Sequence, residues 1–170
     1  MAASALRTTM PATGNNTSPV PRSHKCTLVP SAYFAEDDAR CILSDLYPLD
    51  DSETVSFVSV PSQDAVLVYA GDSVPPVFDL LSELPSCPDH NKILMCHAGG
   101  CLDLVIARGD QLLLVNSYPA PDFVTAEYFL FLAMKTLQLN PEVSCVRVRS
   151  ELSAEEEMSL YRYFKAVERI

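Results

Sequence analysis

The spacing of apolar and polar positions changes period several times along this chain of 170 residues. Residues 93–117 read ILMCHAGGCLDLVIARGDQLLLVNS, three apolar runs separated by Ala98-Gly99-Gly100 and Arg108-Gly109-Asp110. Short apolar runs punctuated by Gly-containing turns predict a three-stranded antiparallel meander, at about 92–97, 101–107 and 111–117. A helix is predicted next, over Phe123–Leu139. Its segment Tyr128–Met134 is nearly all apolar, so burial on most sides is expected. Asn140-Pro141 stops it. Cys145–Val148 reads as a short strand. Ser153-Ala154-Glu155-Glu156 then forms a capping box opening a helix that turns Met158, Tyr161, Phe164 and Val167 toward a core.

The upstream half has a different texture. Cys26–Pro30 predicts a strand. From Ser31 or Ala32 to Tyr47, Ala35, Ala39, Ile42, Leu43 and Leu46 recur at helical spacing. Glu36, Asp37 and Asp38 fall in the first turns, where the helix dipole favours negative charge, and Pro48 ends the run. TVSFVSV at 54–60 and DAVLVYA at 64–70, joined by Pro61-Ser62-Gln63, predict a hairpin. Val77, Leu80, Leu81 and Leu84 mark a helix over Val74–Leu84, with Pro75 and Pro76 in its first turn. Residues 1–25 are rich in Ala, Ser, Thr, Pro and Asn and lack periodicity, which predicts a disordered leader. A start site set too far upstream, with Met10 inside the leader, is the other reading. The domain division expected is therefore a leader at 1–25, a small α/β lobe at 26–90 and a second lobe at 91–170.

Composition narrows the functional classes. There are 12 Lys and Arg against 22 Asp and Glu, a net charge of −10, and the basic residues are scattered. That pattern lacks the footprint of a phosphate-backbone binder, so no nucleic-acid partner is expected. No apolar stretch approaches the ~20 residues needed to span a bilayer. The N-terminus lacks the apolar core of a secretory signal. Six cysteines, several within apolar runs, read as reduced thiols of a cytoplasmic protein.

A family resemblance rests on DAVLVY at 64–69, the loop ending in His90, LLLVNSY at 112–118, TAEYFLFLAMKTLQLNPE at 125–142 and LYRYF at 160–164. Together these resemble an uncharacterised bacterial family, a domain of unknown function, whose solved member has an actin-like ATPase fold. The resemblance runs over roughly 26–167. It implies an α/β chain, actin-like and RNase-H-like, with a mixed sheet and β-β-β-α-β-α order in the C-terminal lobe. Members of that family are longer, mostly at the N-terminus. The chain thus looks like a shortened member, or like one whose first lobe is incomplete. An incomplete lobe exposes strand edges, which invites self-association.

The resemblance also locates candidate chemistry. Actin-like ATPases carry an acidic-x-Gly phosphate loop at the first turn of the meander, with a carboxylate serving Mg²⁺ and glycines admitting phosphate to backbone N–H groups. Here Gly99 and Gly100 are present, but His97 stands nearest the acidic position, and imidazole does not replace oxygen at hard Mg²⁺. Asp103, on the next strand, is the nearest carboxylate. His97, Gly99, Gly100 and Asp103 are therefore a candidate phosphate-loop remnant, to be weighed against a plain Gly-Gly hairpin turn. ATP with Mg²⁺ is the cofactor such a remnant would take; otherwise none is expected.

A second cluster, Cys87, His90, Cys96, His97 and Cys101, has ligands that suit zinc. Its spacing is poor, because neighbours on a strand point to opposite faces. Arg108-Gly109-Asp110 reads as a turn. Glu155, Glu156 and Glu157 read as helix N-terminal acids, and Asp50, Asp51 and Glu53 as a loop cluster. Asn116 and Ser117 either line a cleft or end their strand. The expectation is a non-catalytic actin-like protein that binds an unknown protein partner. A nucleotide-binding ATPase or switch and a small zinc module at 87–101 are the alternatives.

Overall fold

The computed structural model of the chain describes residues 23–170, so most of the expected leader lies outside the described residues. Two sheets form the frame. In the first, β1 (Cys26–Pro30), β2 (Val55–Val60) and β3 (Ala65–Ala70) lie in the order β1-β3-β2, all antiparallel. In the second, β4 (Asn91–Ala98), β5 (Cys101–Arg108), β6 (Gln111–Pro119), β7 (Cys145–Val148) and β8 (Ala166–Arg169) lie in the order β6-β5-β4-β7-β8. The meander β4-β5-β6 is antiparallel, while β7 and β8 run parallel to β4.

Strand alternation divides the second sheet into two apolar faces. Ile93, Met95, Leu102, Leu104, Ile106, Val146 and Val148 face α3 (Phe123–Thr136) and α4 (Ala154–Tyr161). Leu94, Cys96, Val105 and Ala107 face α2 (Val77–Glu83) and the first sheet, through Leu67, Tyr69, Val60 and Cys26. The central strands β4 and β5 are thus covered on both sides, which explains why they read as near-continuous apolar runs. A smaller cluster on the far side of the first sheet joins Ala39 and Leu43 of α1 (Ala39–Leu46) to Val68.

Three helical expectations are corrected. First, α1 starts at Ala39, because Ser31–Tyr33 and Glu36–Asp38 are isolated 3-10 turns separated by extended Phe34 and Ala35. The extended backbone carries the Phe34 ring to Phe57, with centroids 5.0 Å apart. Ala35 and Leu46 are consequently exposed. Second, α3 is not buried on most sides. The sheet side is covered and Phe131 packs on Tyr163 and Phe164, but Val124, Tyr128 and Leu132, spaced four apart, remain 75, 61 and 44% exposed. Third, α4 ends at Tyr161 and buries only Leu160, while Met158 and Tyr161 point outward. Phe164 is buried beyond the helix, and Val167 lies on β8, a strand not anticipated. The capping box is as expected: Glu156 N–H donates to Ser153 Oγ and Ser153 N–H to the Glu156 carboxylate. Among the described residues no helix is long and apolar enough to cross a membrane.

Candidate functional site

The turn between β4 and β5 contains only Gly99 and Gly100, at φ +60° and +78°. Positive φ at both central positions defines the hairpin turn that matches strand twist, and only glycine adopts it without strain at both. A Cβ added at Gly99 would meet no atom within 4 Å, so the turn projects into open space. The Gly100 carbonyl accepts the N–H of Ala120 at 2.8 Å, which ties the turn to the segment leading into α3.

His97, just before the turn, is built into the same junction. Its Nε2 lies 2.9 Å from the Ala120 carbonyl, so the tautomer protonated there donates. Its backbone N–H donates to Ser150 Oγ at 3.1 Å. The ring meets Phe123 edge-on, with centroids 5.8 Å apart. His97 thus joins β4, the segment before α3 and the segment after β7.

Asp103 lies elsewhere. It is the register partner of Cys96 on β4 and of Ser117 on β6, so it projects to the α2 side of the sheet. His97 pairs with Leu102 and projects to the α3 side. The sheet therefore separates His97 from Asp103, while Gly99 and Gly100 stay beside His97. Asp103 is 1% exposed, and its carboxylate Oδ1 accepts from His24 Nδ1 at 2.9 Å. The His24 backbone N–H donates to Ser117 Oγ at 2.9 Å, and the Ser117 N–H to Asn116 Oδ1 at 2.9 Å. These contacts clamp the residues before β1 onto β5 and β6.

The electrostatics follow from this arrangement. Hydrogen bonding to Asp103 holds His24 above the ordinary imidazole range; burial opposes this and the carboxylate charge adds to it. Burial, then Asp103, pushes the Cys26 thiol up to about 12, and burial followed by Asp103 pushes Cys96 up to about 11. A thiol held up in this way is a poor nucleophile at neutral pH. Ser117, His24 and Asp103 also fail as a relay. Ser117 Oγ lies 3.4 Å from Nδ1, the same nitrogen that faces Asp103, whereas a relay needs the two partners on different ring nitrogens.

His24 was the residue that sequence reading missed, since it falls inside the expected leader. The available signal was Asp103 itself: a carboxylate within CLDLVIA needs a buried partner.

The zinc candidates do not converge. Cys87 Sγ faces Asp89 at 3.7 Å, beside Arg147, which pairs with Glu168 at 2.6 Å. Cys96 lies on the α2 face, His97 on the α3 face, and the His90 ring sits under Gly109. Among the described residues no group of three or more His, Cys, Asp or Glu could hold a metal ion. Three of the acidic positions have structural partners: Glu53 with Lys25 at 2.7 Å, Glu156 in the capping box, and Glu157 with Arg169 at 2.8 Å. Gly109, at φ +58°, closes the second hairpin as a turn residue.

Comparison with solved structures finds a Bacteroides thetaiotaomicron protein described as having an actin-like ATPase fold and unknown function. The TM-score is 0.70 at 18% identity, over 86% of this chain and 65% of that one. The present chain thus spans 65% of that protein's length and has the actin-like fold, with a mixed α/β sheet. No curated protein matches. The segment from just before α2 to β8, residues 73–167, matches the model of a family described as "Protein of unknown function (DUF3822)", and with more than half of its length matched the chain belongs to that family.

Proposed function

We propose that this chain is a non-catalytic, cytoplasmic domain that uses the actin-like fold to bind another protein. The observation that carries the reading is the commitment of Asp103. The carboxylate of β5 that follows the glycine turn is buried on the far face of the sheet and is paired with His24. On the near face the position belongs to His97, whose ring is spent on the Ala120 carbonyl. Mg²⁺ requires oxygen ligands; the hairpin presents imidazole and a glycine turn, and the Asp122 carboxylate beside His97 accepts the Thr125 N–H as the cap of α3. The residues at the turn do not fit Mg-ATP, although the open Gly99-Gly100 backbone is what a nucleotide-gated switch would use. The apolar stripe of Val124, Tyr128 and Leu132 supports the interaction role, because solvent-facing apolar residues aligned on one helix face mark contact surfaces.

Isothermal titration with Mg-ATP tests the reading. No saturable heat is expected up to about 1 mM nucleotide, which bounds binding at under ~4 kcal/mol. A dissociation constant in the micromolar range would overturn it in favour of the nucleotide switch.

A further inference from the structure

Three turns meet at the end of β4 and β5 remote from Gly99 and Gly100, and they border a cavity of about 170 Å³. Pro61–Gln63 is the 3-10 turn between β2 and β3, closed by Asp64 in the left-handed region at φ 47°. Leu84–Ser86 is a second 3-10 turn, following α2 and containing Pro85. Gly109 opens the β5–β6 hairpin, and its N–H donates to the His90 carbonyl at 2.7 Å. Lys92 of β4 completes the wall. It is the register partner of Ala107 and of Cys145, and it shares the parity of Leu94 and Cys96, so it lies on the α2 side of the sheet. The length of β4 places it roughly 20 Å from the glycine turn.

The lining combines two chemistries. Ser62, Gln63, Lys92 and Asp110 bring a hydroxyl, an amide, an ammonium and a carboxylate, while Leu84 and Pro85 bring aliphatic carbon. None of the four polar side chains has a hydrogen-bond or ion-pair partner among the described residues. For Lys92 this is exceptional. The partly buried Lys and Arg among the described residues are Lys25, Lys92 and Arg147. Lys25 pairs with Glu53 and Arg147 with Glu168, which leaves Lys92 as the one without a carboxylate. Lys92 and Asp110 thus border one cavity with opposite charges that do not meet.

We propose that this cavity binds a small aliphatic amino acid as its zwitterion. The ligand carboxylate supplies the partner of Lys92, and its ammonium faces Asp110. Ser62 and Gln63 complete the hydrogen bonds, and the carbon chain lies beside Leu84 and Pro85. Charge selects the class. A simple carboxylate gains Lys92 but meets the Asp110 charge, a simple amine does the reverse, and an uncharged molecule leaves both charges unpaired. Size selects the length. Drug-sized ligands occupy roughly 300–1,000 Å³. At ~30 Å³ for each water-sized group, 170 Å³ admits about six non-hydrogen atoms, which excludes a nucleotide. Such a site is independent of the protein-binding role, since α3 covers the other face of the second sheet.

Titration of the isotope-labelled full chain with glycine, L-alanine and L-valine, followed by amide chemical shifts, tests this. The expected result is saturable shifts centred on Ser62, Gln63, Lys92, Gly109 and Asp110 for at least one of the three. For so small a ligand the dissociation constant should be on the order of 1 mM. Propionate and ethylammonium, which each carry one of the two charges, should bind at least about fivefold more weakly. Lys92→Gln and Asp110→Asn should each weaken binding by at least about fivefold, and Lys135→Gln, on α3, should leave it unchanged. Asp110 is an exposed turn residue, so its variant reads out the site even where Lys92→Gln disturbs folding. No saturable shift with any of the three amino acids up to about 50 mM overturns the proposal. So do equal binding of propionate or ethylammonium, shifts centred outside the cavity, and binding indifferent to Asp110→Asn or to a folded Lys92→Gln.

Discussion

Replacing His24 with Ala removes the partner of a nearly inaccessible carboxylate. Asp103 is 1% exposed and its Oδ1 accepts the 2.9 Å bond from His24. Breaking a buried ion pair by deleting one member costs about 3–5 kcal/mol, because the remaining charge stays desolvated. His24 is at the rim, however, with its side chain 36% exposed, so water would enter the vacated space and solvate part of Asp103. The expected loss is therefore about 2 kcal/mol. For a chain of this size that corresponds to roughly 4–8 °C in Tm.

The pH dependence has a definite sign. The folded-state pKa of His24 is raised above the ordinary 6.5, so the folded protein binds more protons than the unfolded one between those two values. The stabilisation is fully present below 6.5 and is lost as pH rises through the folded pKa. Urea denaturation of wild type and His24→Ala at pH 6 and pH 9 should show a gap that is widest at pH 6 and narrower at pH 9. Asp103→Asn should also flatten the wild-type slope, since the coupling vanishes with either partner. Two stability curves that stay parallel between pH 6 and 9, or a loss under ~0.5 kcal/mol at pH 6, would refute the reasoning.

Two further outcomes test the packing. Cys41 is the exposed thiol, while Cys26, Cys87, Cys96, Cys101 and Cys145 are buried, so a thiol reagent at pH 8 should label one cysteine rapidly and the other five only on unfolding. Rapid native-state labelling of two or more sites would contradict the core described. Leu130→Ala, at a fully buried position of α3 against the sheet, should cost about 2–5 kcal/mol in urea unfolding, and a loss below ~1 kcal/mol would show that α3 is not seated there.

The elements that sequence made legible share a strict local rule. The meander boundaries are right to within two residues because two turns rich in glycine break three apolar runs, and Gly99, Gly100 and Gly109 all take positive φ. Val77, Leu80, Leu81 and Leu84 are all buried, because helical spacing over one apolar face has a single reading when β4 and β5 lie beneath it. Where tertiary contact overrides local preference, the reading failed. Phe34 leaves helical geometry to meet Phe57. Val167 belongs to a four-residue strand, too short for period-2 alternation to be distinguished from a helix turn. The all-round apolar character of α3 predicted burial, yet sequence carries no information on whether a further layer exists to cover Val124, Tyr128 and Leu132.

The candidate site was legible to a different degree, and parity explains why. In a two-residue hairpin closed by Ala98 and Cys101, His97 must face Leu102 and Cys96 must face Asp103. Within the hairpin next to the turn, a carboxylate on the His97 side would have to stand at 97 or 102, and Asp103 is excluded by one residue of register. Displaced to the other face, a carboxylate within an apolar strand needs a partner or it destabilises the core. His24 supplies that partner from a segment whose composition reads as disordered, so no periodicity could have announced it. The same contact orders the chain before β1 against β5 and β6. The Asp103 charge is thereby used to hold the two sheets together, and His97 holds β4 to the segments flanking α3 and β7. In this chain the junction of His97 with the glycine turn is built from groups already engaged in joining its own elements.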